Sequence, residues 1–167
     1  MTVTDEIARV AREAKGMLCA SYPMAELWSP TVHVVTDRGR HVAMVLDASC
    51  LDHPVATAAT IRAELAPETV GTAGVIVESY MHLGEDAPAF NLRDDYENNP
   101  ASAVTPAVVL IVATANGAHA ARFMPYRWDD HGVPAWGEHI DAPGELVAAS
   151  VGAQVIALAD AVAGVAL

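Results

Sequence analysis

Two apolar segments joined by Asn116-Gly117 narrow the possible folds of this chain more than any other feature. An uninterrupted apolar run extends from Val108 to Ala113, and a second strand-like segment extends from His119 to Trp128. A two-residue turn between antiparallel strands needs positive φ angles, which Asn and Gly adopt at little cost. The pattern therefore predicts an antiparallel hairpin whose first strand is buried.

Further strands are predicted on both sides of this hairpin. Residues 32–35 lead to Asp37-Arg38-Gly39, and the chain returns over residues 41–47 in a second predicted hairpin. Another strand is expected from Thr72 to Met81, and a last short one from Ala135 to Ile140. Because hairpins dominate, the sheet of about five to six strands should be mostly antiparallel.

Three helices complete the predicted fold. The first begins near Thr4, a good N-cap, and the second follows His53-Pro54 and ends before Pro67. The third covers the apolar stretch from Leu146 to Leu167. The predicted order is α-β-β-α-β-β-β-β-α, a single α+β domain over residues 1–167 with its helices against one face of the sheet.

A long acidic segment interrupts this pattern. Residues 83–105 contain several Asp and Glu residues and the breaker Asn98-Asn99-Pro100, and no clear periodicity. We expect a long loop there, and a loop of this length within a compact domain is typically functional or mobile.

The charge balance disfavours nucleic acid as a partner. The chain carries 21 acidic against 9 basic residues, a formal net charge of −12, and a phosphate backbone would be repelled. The acidic side chains are scattered rather than aligned on one predicted face, which favours solubility over mimicry of DNA.

A cytoplasmic location is predicted from three features of the sequence. The two cysteines, Cys19 and Cys50, fall in apolar segments typical of free buried thiols in a reducing compartment. The start of the chain is acidic where a secretory signal would be basic. Gln154 and Asp160 interrupt the apolar C-terminal stretch, which disfavours insertion into a membrane.

Glu78 is the most conspicuous candidate for chemistry. It lies in the apolar strand Val75–Tyr80, where burial would raise the pKa of a carboxyl group and suit it to general acid or base catalysis. The alternative is a structural ion pair between Glu78 and an arginine of the next hairpin, Arg122 or Arg127, and this alternative is favoured because structural pairs outnumber catalytic carboxylates.

The seven histidines raise the question of a metal site. None of them forms His-x-His or the His-Glu-x-x-His pattern that places two imidazoles on one helix face. One combination from distant positions, Glu78, His82 and His139, is kept as a candidate metal site. No motif predicts a cofactor.

Three segments of the chain resemble a group of small, uncharacterised bacterial α+β proteins, actinobacterial or phage-encoded. The segments are Val34–Gly39, Val75–Tyr80, and the hairpin from Val108 to Arg127 with Trp136-Gly137-Glu138 after it. They cover about the middle two thirds of the chain. The resemblance implies the fold and no activity. Abundant Ala, Val and Arg with a single lysine also suggest a GC-rich genome, such as that of an actinobacterium or its phage.

Two hypotheses of function follow. The first is a non-catalytic accessory protein, for example of a phage or mobile element, that forms a homo-oligomer or binds another protein through the C-terminal helix 146–167. High apolar composition and small residues in this helix support it. The alternative is a small-ligand-binding protein or metal-dependent hydrolase, with a pocket between the 83–105 loop and the sheet that is bordered by Glu78, His82, Arg122 and His139.

Overall fold

The computed structural model describes residues 2–20, 29–84, 91–143 and 153–165. The helices in these ranges are α1 (Val3–Ala20), α2 (Pro54–Leu65), α3 (Leu92–Asn98) and α4 (Ala153–Ala163). The strands are β1 (Thr31–Thr36), β2 (His41–Val45), β3 (Val70–His82), β4 (Val104–Thr114), β5 (His119–Trp128), β6 (Pro134–Trp136) and β7 (Ile140–Pro143). A 3₁₀ turn, Ala48–Asp52, precedes α2. The α+β fold is confirmed.

The strands form one sheet in the order β2-β1-β3-β4-β5-β6, and β7 also pairs with β5. Every pairing within the described residues is antiparallel. The centre of the sheet aligns Val75 of β3 with Ile111 of β4 and Ala121 of β5. All but the last residue of β4 are buried, as the apolar run predicts.

The hairpin at Asn116-Gly117 is present, but its loop has three residues rather than the expected two. Ala113 pairs with His119, the Thr114 N–H donates to the Ala118 carbonyl, and the Gly117 N–H donates to the Thr114 carbonyl. Gly117 has a φ of 80°, the left-handed conformation that closes a three-residue loop. Glycine is therefore needed at position 117, which is the third residue of the loop instead of the expected second.

The helices cover both faces of the sheet, which corrects the expectation that they share one face. Helices α2 and α4 pack against one face, and α1 packs against the other. Gly74 of β3 lies beneath α1, where a Cβ would be in ordinary contact with a Val10 methyl carbon at 3.4 Å and a larger side chain would meet the helix. The side chains that meet on the α1 face include Ile7, Val10, Ala11, Ile76, Val108, Leu110, Val112, Met124 and Tyr126.

The described part of the C-terminal helix belongs to the core of the chain itself. Leu158, Ala159 and Val162 of α4 are fully buried, in a cluster with α2 and with strands β3 and β4. The segments 146–152 and 166–167 of the predicted helix lie outside the described residues. Along α4, the apolar side chains that suggested a contact with another protein therefore pack within the core of the chain itself.

The segment 83–105, expected to be a long loop, contains helix α3. The side chain of Asn91 caps this helix by accepting a hydrogen bond from the Asp94 N–H, and Asp94 and Asp95 lie in its first turn. Carboxylates stabilise the N-terminus of a helix, so the acidic residues of this segment favour the helix. The helix ends at Asn98, shortly before Pro100. Residues 85–90 lie outside the described part.

The last predicted strand, Ala135–Ile140, is two short strands that pair with successive parts of β5. Trp136 of β6 pairs with Tyr126, and Ile140 of β7 pairs with Phe123. Between these pairs lies Pro125, which has no N–H to donate, and only its carbonyl is used, by the Gly137 N–H. The proline therefore interrupts the ladder and divides the strand.

The described helices include none that is both long and apolar enough to cross a membrane. Cys50 is a partly exposed free thiol rather than a buried one, and the side chain of Cys19 lies outside the described part.

Candidate ligand-binding cleft

A cleft of about 690 Å³ opens at the end of β5, where β6 and the chain leading to β7 lie beside it. Leu83 and Thr105, the two ends of the segment expected to wall a pocket, both line it. The remaining lining residues come from the last part of β5 and from residues 135–141: Pro125, Tyr126, Arg127, Ala135, Trp136, Gly137, Glu138, His139, Ile140 and Asp141. A volume of this size is typical of small-molecule sites.

Apolar side chains at the cleft are unusually accessible to solvent. Leu83 is 52% exposed and Ile140 is 45% exposed, although both are large aliphatic residues. They come from β-strand ends that are far apart in sequence and contribute to the same cleft. Exposed apolar surface concentrated at a concave site is characteristic of ligand-binding regions.

An ion pair fixes one end of the cleft. Arg122 donates two hydrogen bonds to Asp141, from Nε to Oδ1 at 2.6 Å and from one terminal nitrogen to Oδ2 at 2.8 Å. The hydrogen bond from Arg122 lowers the pKa of the Asp141 carboxyl group, and the same bond raises the pKa of the guanidinium. His139 Nε2 lies 3.9 Å from the second oxygen of Asp141. The charge of Asp141 is therefore largely compensated by Arg122.

Two other charged groups at the cleft, Arg127 and Glu138, have no such compensation from the part of the chain that the structure describes. Arg127 is exposed at the end of β5, and its guanidinium makes no ion pair or side-chain hydrogen bond with the residues that the structure describes. Glu138 likewise has no partner within the described ranges. Arg127 also borders a smaller cleft of about 320 Å³, beside Tyr96 and Trp128. This arginine thus stands between two concave regions.

Behind the cleft, the Tyr126 hydroxyl donates a hydrogen bond to the Glu78 carboxylate. Tyr126 is 2% exposed, and this burial, followed by the negative charge and hydrogen bond of Glu78, raises the pKa of its phenol well above the ordinary range. The ring of Tyr126 meets Trp128 edge to face at 5.4 Å between centroids and Trp136 at 5.6 Å. Lys15 of α1 lies 5.1 Å above the Trp136 ring. These contacts hold β3, β5, β6 and α1 together.

The predicted partner of Glu78 is therefore corrected. An arginine, Arg122 or Arg127, was the expected structural partner, whereas the hydrogen bond shown here comes from Tyr126 and Arg122 is bound to Asp141. The exchange follows from the register, because Arg122 of β5 pairs with Asp141 of β7 and the two side chains share one face of the sheet.

The predicted site residues do not converge as a set. His139 lines the cleft, Arg122 contacts it through Asp141, and Glu78 and His82 lie along β3 without lining it. In the described parts of the chain, no three His, Cys, Asp or Glu side chains form a group that could hold a metal ion, so Glu78, His82 and His139 are not assembled as a metal site.

The sequence does not identify Glu138 and Asp141 as site residues. It also does not identify Arg127 as a cation without an ion pair in the described residues. Arg127 was considered only as an ion-pair partner of Glu78. No short motif marks these residues, because their grouping depends on how β6 and β7 fold back along β5.

Comparisons with protein-family models, with curated proteins and with solved structures find no match to this chain.

Proposed function

We propose that the protein binds a small amphipathic molecule in the cleft, with an apolar body against Leu83 and Ile140 and an acidic head group on Arg127. The observation that carries the proposal is the exposed guanidinium of Arg127, without an ion-pair partner in the described residues, at the wall of a partly apolar cleft of about 690 Å³. Concave apolar sites with a few convergent polar groups are the usual form of ligand sites.

The position of Arg127 in the wall of the cleft distinguishes it from Arg12, Arg38 and Arg62, which also lack an ion pair in the described residues. Other arginines of this chain, in which acidic residues outnumber basic ones by 21 to 9, do contact a carboxylate. Arg40 contacts Glu68 and Arg93 contacts Glu97, as Arg122 contacts Asp141. A guanidinium left open beside an apolar surface can accept a carboxylate through two parallel hydrogen bonds.

The neighbouring groups set the preferred head group. Asp141 is neutralised by Arg122, so it opposes an incoming anion only weakly. Glu138 lines the cleft without a cationic partner in the described residues, and a carboxylate there should repel a second acidic group. We therefore expect a ligand with one acidic group rather than several.

The apolar body would cover side chains that now face water. Leu83 and Ile140 are both about half exposed, and covering apolar area is worth about 25 cal/mol per Å². This contribution is independent of charge. A neutral molecule of the same shape should therefore bind too, with lower affinity.

The experiment compares two probes of equal chain length, octanoate and octanol, by isothermal titration calorimetry on the full chain. A charge-assisted hydrogen bond contributes about 1.5–3 kcal/mol, so octanoate should bind roughly tenfold or more tightly than octanol. Arg127→Gln should reduce the affinity for octanoate to the affinity for octanol. The matched control is Arg38→Gln, which removes an exposed arginine from the β1–β2 turn and should leave both affinities unchanged.

Two further variants separate the parts of the proposal. Leu83→Ser should weaken the binding of both probes equally. Glu138→Gln should strengthen the binding of octanoate and leave that of octanol unchanged. If neither probe binds the unaltered chain, the cleft is not a site for molecules of this class. If both bind with equal affinity and Arg127→Gln changes nothing, the arginine is not the anchor.

A further inference from the structure

We propose that the outer edge of β2 pairs antiparallel with β2 of a second copy of this chain, which would join the two sheets into one. β2 ends the strand order, and no strand of the described residues lies on its outer side. An open edge presents unpaired N–H and C=O groups to solvent and is a template for strand addition. This inference is independent of the ligand cleft, which lies near the opposite edge of the sheet, beside β5 and β6.

The register identifies the backbone groups that are open. The Thr36 N–H donates to the Arg40 carbonyl at 3.0 Å, and the Leu46 N–H donates to the Pro30 carbonyl at 2.7 Å. Hydrogen-bonded pairs alternate along an antiparallel ladder, so even-numbered residues of β2 bond to β1. The N–H and C=O groups of His41, Ala43 and Val45 therefore point away from the sheet.

The other end of the sheet carries features that prevent strand addition, and β2 does not. β6 begins with Pro134, and β7 contains Asp141 and ends at Pro143. Proline and charge on an edge strand are common protections against further pairing. β2, with the sequence HVAMV, has neither a proline nor an acidic or basic residue apart from His41.

A second copy fits this edge better than an unrelated strand because the ends of β2 are complementary to each other. A two-fold axis at Ala43 would place His41 opposite Val45 of the second copy. It would also bring Arg38 of the β1–β2 turn beside Asp47 of the second copy, whereas Arg40 of the same turn is already paired with Glu68. In a chain of net charge −12, this edge is a place where two copies can approach with opposite charges.

Apolar groups on both faces of β2 would gain cover from the pairing. Val45 is 68% exposed, the highest value among the large apolar residues that the structure describes as exposed. Met44 and Val42 are partly buried against the cluster of α2 and α4. Antiparallel pairing would place Val42 beside Met44 of the second copy and extend that cluster across the axis.

The test is the mass of the full chain in solution, measured by light scattering over a wide range of micromolar concentrations. We expect a dimer that dissociates on dilution. Ala43→Pro removes an outward N–H without removing a bond to β1, and should give a folded monomer. Val45→Lys should also give a monomer, and the matched control Val55→Lys, at another exposed valine, should remain a dimer.

Hydrogen exchange locates the contact. The amides of Ala43 and Val45 should exchange more slowly at high than at low protein concentration. A chain that is monomeric throughout the range would overturn the proposal. So would a dimer that persists in both Ala43→Pro and Val45→Lys, or one in which the exchange of these two amides does not depend on concentration.

Discussion

Tyr126 on β5 donates a hydrogen bond to the carboxylate of Glu78 on β3, across the intervening strand β4. Tyr126 is buried among the side chains of the α1 face, and Glu78 pairs in register with Val108 of the same face. Burial and the nearby carboxylate together raise the pKa of the tyrosine. A phenol held protonated in this way stabilises the buried end of the sheet over the whole neutral range.

Tyr126→Phe should lower the free energy of unfolding by about 1–3 kcal/mol at neutral pH, because the Glu78 carboxylate loses a buried donor. The dependence on pH should also change. In the unaltered chain both states keep the phenolic proton below about pH 10, and above it the unfolded state ionises while the folded state does not. Stability should therefore fall as the pH rises beyond about 10, and this fall should be smaller in Tyr126→Phe.

Urea denaturation at neutral and alkaline pH measures both effects. Tyr96→Phe is the control, because Tyr96 is partly exposed and contacts Tyr80 through its ring. A Tyr126→Phe variant as stable as the unaltered chain would show that the hydrogen bond to Glu78 contributes nothing net.

Arg122→Gln should affect stability on the acid side. The Arg122 hydrogen bond lowers the pKa of Asp141, so the pair contributes above the ordinary Asp value of about 3.9 and its contribution is lost as the pH falls below it. Asp141 is half exposed, and screening limits the contribution to roughly 0.2–1 kcal/mol. An NMR titration of the Asp141 carboxyl group should show its pKa moving upward in the variant. An unchanged titration would mean that the bidentate pair does not persist in solution.

The sheet could be predicted from the sequence because its signals are local. Alternation and turn residues mark the two hairpins, and both occur. The apolar run of β4 also indicates that both faces of the sheet are covered. Val108, Leu110 and Val112 face α1, while Val109 and Ile111 face the opposite side. An apolar run without alternation needs cover on both faces of its sheet.

The predictions from sequence were wrong where one residue pattern fits two structures, or where the structure depends on residues far apart in the chain. The acidic residues after Asn91 fit the composition of a loop, but Asn at the cap and Asp in the next turn also start a helix. The division into β6 and β7 depends on Pro125 in the neighbouring strand. The cleft depends on that division, so its charged residues could not be grouped from sequence spacing.

Substitutions at Gly74 test how α1 is seated on the sheet. A Cβ at this position would meet Val10 methyl carbons at 3.4 and 3.5 Å, which is ordinary contact. Gly74→Ala should therefore be close to neutral, whereas Gly74→Leu should cost about 1–3 kcal/mol by displacing the helix. Thermal unfolding of the two variants provides the comparison. Equal stability of both would mean that α1 moves away from β3 without cost.

Leu158→Ala tests whether α4 belongs to the core of one chain or to a contact between copies. Leu158 is fully buried, and its removal should leave a cavity against α2 and the sheet that costs about 2–5 kcal/mol. Ile156→Ala, at a partly buried position of the same helix, should cost less. Urea denaturation at a fixed protein concentration gives both values, and light scattering gives the mass. A Leu158→Ala chain with unchanged unfolding but a smaller mass would place α4 at an interface instead, and the assignment of this helix to the core would then be wrong.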